Sequence, residues 1–272
     1  MLQLSRHGEV TRYDLARSLP GPWRYRTVAY LVDGMLVDTG CAHTAREFMT
    51  ALQGESLHRI VNTHAHEDHI GANGLLQGQH EDLEILAHPL ALPVLADPRR
   101  RLDLHPYRRL IWGWPRRSTA RALPSGTSLE TDQYSFQVIP TPGHSPDHVC
   151  LYEPEQGWLF TGDLFTGGWD RALPVDYDLW QIIDSLKLIA ALPAERLFAG
   201  SARVRTNPAS DLAAKIEYLE EIGTRVLELH ARGWPVGRIA RRLLGAPQFI
   251  ELFTLGHFSR HGMVRSYLKR FG

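Results

Sequence analysis

Thr63-His64-Ala65-His66-Glu67-Asp68-His69 carries three imidazoles and two carboxylates within six residues, directly after the apolar run 57–63 (LHRIVNT). Two histidines two apart can face one side of an extended loop and share a metal ion. Asp68 and His69 then point elsewhere, which suits a second ion. Two-metal hydrolytic sites hold their ions about 3.5–4 Å apart around an activated water. Imidazole and carboxylate donors favour zinc, iron or manganese over calcium. The chain has 14 histidines, so a single pair carries little information. Three with an aspartate at this spacing, at the end of a strand, point to a metal site rather than a solvated polar loop.

Working outward, two further turns follow apolar runs. Thr141-Pro142-Gly143-His144-Ser145 comes after 134–139 (YSFQVI), and Thr161-Gly162-Asp163 after 158–161 (WLFT). Pro and Gly make tight turns that present a side chain at a strand end. His144 and Asp163 would thus supply a third imidazole and a carboxylate able to bridge two ions. Strands are also expected at 27–40, as a hairpin turning at Asp33-Gly34, and at 57–63, 83–87, 148–153 and 196–199, with a turn at Glu155–Gly157. Helical patterns at 42–53, 70–78 and 178–191 fall between them, which predicts an α/β layered fold. Beyond residue 205 the pattern is helical. Leu212, Ile216, Leu219, Ile222, Val226 and Leu229 form one helix face, started by Asn207-Pro208 and stopped by Gly233. Shorter helices are expected at 236–244 and 259–270. The division predicted is a catalytic domain over 1–205 and a helical C-terminal extension over 206–272 packed on it.

These motifs resemble those of the metallo-β-lactamase-fold hydrolases, in a glyoxalase II or lactonase-like branch. Asp38-Thr39-Gly40, the His64–His69 motif, Pro142-Gly143-His144 and Gly162-Asp163 carry the resemblance, which covers roughly residues 25–205. It implies an αββα sandwich with metals at one edge. It implies that His64, His66 and His144 bind a first metal, that Asp68 and His69 bind a second, and that Asp163 bridges. It also implies that Asp38 orients the ligand loop by hydrogen bonds. The family usually ends with Gly-His after the final strand, whereas here the match is Gly200-Ser201. A neutral hydroxyl is a poor ligand. The second site is then weak, completed by water, or completed by another histidine, with His257 and His261 the nearby candidates. The resemblance to glyoxalase II is partial, because TGDLFTGG (161–168) replaces the longer Gly-Cys-Gly-Arg stretch of that enzyme.

The expected chemistry is metal-dependent hydrolysis of an ester, thioester, lactone or related small-molecule bond. Zinc, as two ions, is the expected cofactor, with one ion or iron or manganese as alternatives. Asp68 is the expected catalytic residue, orienting the water and moving a proton. Two other functions fit the same residues: a mononuclear iron dioxygenase on this scaffold, and a non-catalytic binding or regulatory protein with a decayed site. Tyr177 is a candidate donor to a developing oxyanion, and Trp169, Asp170 and Arg171 candidate rim residues. Residues 97–121 carry eight arginines against two aspartates, interleaved with Tyr107, Trp112 and Trp114. This segment reads as a lid for an anionic substrate, as a homodimer surface, or as a solvated helix face with Trp packed inward.

Composition bounds the rest. The chain has 272 residues, 43% of them hydrophobic, and a formal net charge of zero, so charge gives no reason to expect nucleic-acid or membrane partners. Two cysteines without CxxC spacing make no disulfide framework. No basic stretch precedes an apolar segment near the start, and a cytoplasmic protein is expected.

Overall fold

Asp33 and Gly34 both adopt positive φ (46° and 73°), the conformation a two-residue hairpin turn demands. They join β3 (Arg26–Val32) to β4 (Met35–Val37). This computed structural model describes residues 2–16, 26–80, 82–124 and 126–269. From the hairpin one sheet grows in both directions. On one side lie β2 (Val10–Ala16) and β1 (Leu2–His7), both antiparallel. On the other lie β5 (Arg59–Asn62), β6 (Glu84–Ala87) and β7 (Arg121–Ala122), all parallel. The seven strands run in order β1 to β7.

The second sheet contains β8 (Ser128–Glu130), β9 (Ser135–Pro140), β10 (Val149–Glu153), β11 (Trp158–Gly162) and β12 (Arg196–Ala199), in the order β12-β11-β10-β9-β8. β12 joins β11 in parallel, and the other pairs are antiparallel. The two sheets face each other through one apolar layer, in which Tyr30, Val37 and Val61 meet Phe136, Leu151, Phe160 and Phe198. Phe160 and Phe198 stack at 4.8 Å. Strands β10 and β11 are buried along their whole length, which is why their sequence lacks polar alternation.

Outside the first sheet pack α1 (Ala45–Ala51), α2 (Asn73–Gln77) and α3 (Leu92–Ala96), through Phe48, Leu76 and Leu95. Short helices α4 (Pro98–Arg101) and α5 (Pro106–Ile111) follow. Outside the second sheet lies α6 (Leu179–Ala190), which buries Ile182, Ile183, Leu186 and Ile189 at helical spacing. The molecule is thus an α/β four-layer sandwich, αββα, with C-terminal helices. Those helices are α7 (Pro208–Ala231), α8 (Val236–Leu244), α9 (Phe249–Phe253) and α10 (Arg260–Leu268). Leu219, Val226, Ile239, Met263 and Tyr267 share one core with α6 and with Leu159 and Leu197 of the sheet. No described helix is long and apolar enough to cross a membrane.

Several expected elements differ in the structure. The 42–53 helix begins as a 3₁₀ turn, Ala42–Thr44. The 70–78 helix starts only at Asn73, because the His66 carbonyl takes the N–H groups of His69 and Ile70 in a tight turn of the ligand loop. Ser259 caps α10 by accepting the Gly262 N–H, so that helix begins at 260. Residue 270 of the expected 259–270 helix lies outside the described residues, as do the terminal residues 1 and 272 of the two expected domains. β1 and β2 lie outside the expected strands: β1 is an edge strand exposed along most of its length, while β2 is mostly buried.

Candidate metal centre

Three segments meet at one edge of the sandwich: the loop after β5, the turn after β9 and the end of β11. Each is tied to the next by backbone hydrogen bonds. Val149 N–H of β10 donates to the Thr63 carbonyl. Asp147 Oδ2 accepts the Ala65 N–H at 2.8 Å. The His144 turn is held from below by α6, whose Ser185 hydroxyl donates to the Pro142 carbonyl at 2.7 Å and whose cap residue Asp178 donates its N–H to the Gly143 carbonyl. Gly162, at φ +46°, leads into Asp163. A Cβ there would stand 2.7 Å from both His148 Nε2 and Thr63 Oγ1, so only glycine lets the strand end close on the ligand loop.

The result is a convergence of nitrogens. His66 Nδ1 lies 3.0 Å from His64 Nε2 and 2.9 Å from His144 Nε2. His64 and His144 are buried and His66 half-buried. Burial, reinforced by neighbouring imidazoles, lowers all three pKa values, His144 to about 4. Neutral imidazoles with their lone pairs at one point form a metal-ligand set. Ligands about 2.1 Å from a common ion stand roughly 3 Å apart at right angles, so the donor set fits a metal.

The second group brought within 4.8 Å is His64, His69 and Asp163. Asp163 Oδ2 is 3.4 Å from His69 Nε2 and 3.8 Å from His144 Nε2, between the two sets. Asp68 stands further off, 4.0 Å from His69 Nε2. Burial works against a charged His69, but the carboxylates of Asp163, Asp38 and Asp68 outweigh it and raise its pKa well above the ordinary value. Burial likewise opposes ionisation of Asp163, but the charges of His69 and His144 prevail and hold its carboxyl well below the usual range.

Asp38 is the anchor of this half. Its Oδ2 accepts His69 Nδ1–H at 2.7 Å and the Thr63 hydroxyl at 2.7 Å, and its Oδ1 accepts the Thr63 N–H at 2.8 Å. It sits at φ +60°, unusual for a residue with a side chain, and is 2% exposed. Those bonds leave His69 Nε2 facing Asp163.

Ser201 donates to Asp163 Oδ1 at 3.4 Å. Its loop is held by Val28 N–H to the Gly200 carbonyl and by Arg12 to the Ala202 carbonyl. Among the described residues, neither His257 nor His261 joins a metal-binding group. His257 instead pairs with the Tyr107 hydroxyl at 2.8 Å and stacks on His105 at 3.9 Å, and the His261 ring lies against Gly237 of α8. The structure thus places both candidate histidines in packing contacts. Tyr177 packs on His144 at 4.6 Å between ring centroids. It lines a cavity of about 460 Å³ beside His144, Asp163 and Ser201, whose wall combines apolar side chains such as Leu173 and Ile182 with the charged Arg26 and Lys215. Asp170 reaches that cavity, whereas Trp169 packs at a tilt against Tyr218 and is not among the cavity's lining residues, and Arg171 bonds the Leu244 carbonyl.

Sequence reasoning passed over three neighbours. His148 accepts the Asp163 N–H at Nε2 (3.2 Å) and, with its proton therefore on Nδ1, donates to Thr141 Oγ1 (2.8 Å). Asp147 ties the two ligand loops. Both lie just beyond the Thr141–Ser145 turn singled out for His144, His148 at the start of the expected strand 148–153. The third, Glu67, lies inside the motif. It is fully buried and takes Arg108 Nε at 2.5 Å on Oε1.

The model of the metallo-beta-lactamase superfamily matches residues 23–201, most of the chain and all of these ligand segments. The chain belongs to the metallo-beta-lactamase superfamily. Within this superfamily it is similar to the hydroxyacylglutathione hydrolase of Legionella pneumophila (strain Paris), at 32% identity over 139 residues, 51% of this chain and 45% of that enzyme. The chain thus spans about half the length of the curated relatives it matches. The structure of TTHA1623 in a di-iron-bound form is 32% identical, with a TM-score of 0.55, covering 72% of this chain and 96% of that one. TTHA1429 from Thermus thermophilus, a metallo-beta-lactamase family protein, has a TM-score of 0.67 at 21% identity over 95% of this chain and 93% of its own, a likeness of fold.

Proposed function

We propose that this chain is a metal-dependent hydrolase of a small-molecule ester, thioester or lactone. The observation that carries the reading is the convergence of His64 Nε2 and His144 Nε2 on His66 Nδ1, at 3.0 and 2.9 Å, beside a cavity lined by both apolar and polar residues. His64, His66 and His144 would hold a first ion. His69 and Asp68 would hold a second, with Asp163 between them. Zinc is the proposed metal, since neutral imidazoles with carboxylates suit it. A bound ion of this kind would supply an activated water and would polarise the scissile oxygen.

The residues of the chain do the remaining work. Asp68, 5% exposed beside His69, orients the water and carries its proton. Asp38 fixes the His69 ring and Asp147 fixes the loop at Ala65. Tyr177, packed on His144, stands where a hydrogen bond to the developing oxyanion is useful. The apolar side chains of the cavity wall take the apolar part of the substrate. Similarity to hydroxyacylglutathione hydrolases supports a thioester among the bonds to try first.

The test joins metal content to turnover. Protein purified without chelator or nickel affinity is analysed for metal per chain and assayed on thioesters, esters and lactones. Hydrolysis that disappears on chelation and returns with zinc is the expected result. Full activity in metal-free protein would end the reading. Ser201, in the place of a last imidazole, favours one alternative. One iron per chain with oxygen consumption would assign the mononuclear dioxygenase instead.

A further inference from the structure

The eight arginines of residues 97–121 do not share one fate. Arg108 alone among them is not exposed. Arg99 and Arg109 lie over Trp114, each 5.5 Å from the ring, on the outer surface. Arg108 turns the other way. Its Nε donates to Glu67 Oε1, on the ligand loop between His66 and Asp68, and its guanidinium lies 5.4 Å over Trp112.

The helix that carries it is anchored on both sides. Tyr107 and Ile111 of α5 are buried with Cys41 and Trp112, and Phe253 and Phe258 pack against them. The Tyr107 hydroxyl is bonded to His257. Phe258 also lines the cavity beside His144 and Tyr177. Glu67 stands between His66 and Asp68 in the chain, so its bond to Arg108 sets the guanidinium beside the ligand loop.

A guanidinium has five N–H donors in a planar fork. Glu67 uses one of them, through Nε. Among the described residues no hydrogen bond engages the two terminal amino groups, and the side chain keeps 15% of its surface open. Pairing with Glu67 orients this fork and leaves its carboxylate-binding edge unused. We propose that Arg108 is a substrate-binding residue, whose free amino groups take a carboxylate of the substrate at the mouth of the metal centre. The proposal rests on the hydrolase reading for the word substrate and makes that substrate an acid-bearing one.

Binding tests it apart from turnover. Metal-loaded protein is titrated calorimetrically with butyrate and with succinate, glutarate and adipate. In each ligand one carboxylate can reach the metal, and only the diacids offer another. The best diacid is expected to bind about tenfold tighter than butyrate. That preference vanishes in E67Q/R108Q, which removes the pair without stranding a buried charge. It falls at least about threefold in R108K, which keeps the charge and loses the fork. R108K carries the test if the double variant does not fold. A wild type with no preference, or an E67Q/R108Q protein that keeps it, would show that Arg108 only neutralises Glu67 and would overturn the proposal. If the preference behaves as expected while 4-nitrophenyl butyrate and thioesters go unhydrolysed, the hydrolase reading fails and the carboxylate site stands.

Discussion

The two halves of the metal centre are built on opposite electrostatic plans. His64, His66 and His144 meet as three neutral rings, kept neutral by burial and by one another. His69 meets Asp163, Asp38 and Asp68, and is driven toward its charged form. The first half presents unprotonated nitrogens suited to a cation. The second surrounds its one imidazole with carboxylates that favour a proton on it, and a proton and a metal compete for the same nitrogen. It also has Ser201 where a further imidazole is expected from the resemblance. The lesson is that two adjoining sites made from one loop need not bind metal equally well.

The largest break in that comparison is expected from His144→Ala. It removes one of three converging nitrogens and should abolish both turnover and the tightly held metal. The loss should exceed the roughly 100-fold typical of deleting an outer partner. Elemental analysis and thioester assay read it. Next comes Asp38→Ala, which strips His69 and Thr63 of their acceptor. Metal affinity of the second half should drop about 10- to 100-fold while the first ion stays, as a two-step chelator titration would resolve. Asp38→Asn, tolerant of the positive φ, should lose less. The smallest effect sharpens the contrast in the other direction. Ser201→His should slow loss of the second metal equivalent to chelator by about tenfold, the scale of one favourable contact at a metal. An unchanged second equivalent would mean that the Ser201 position does not face the metal.

Much of this architecture was legible because it is local. The hairpin at Asp33-Gly34 needs only two residues with positive φ, and the 208–231 helix declares itself by its apolar stripe and its Asn207-Pro208 start. The ligand segments each sit at a strand end within a few residues of a turn signal. The Arg-rich stretch was illegible for the opposite reason. Its eight guanidiniums are chemically alike, and only packing of Tyr107 and Ile111 against Trp112 and the 249–258 segment turns one of them inward. His148 escaped because its partners, Thr141 and the Asp163 N–H, come from two segments of the chain.

By itself, then, the sequence determined the set of candidate ligands and the layered α/β class, because spacing along a strand-turn unit dictates which side chains share an edge. The tertiary structure decided how the ligands divide. It set Asp163 between the imidazole sets, aimed His69 through Asp38, kept His257 and His261 in packing contacts, and delivered Arg108 to Glu67. Those are contacts between segments far apart in the chain, fixed by the meeting of two sheets and the helices outside them. No local pattern encodes the distance between such segments.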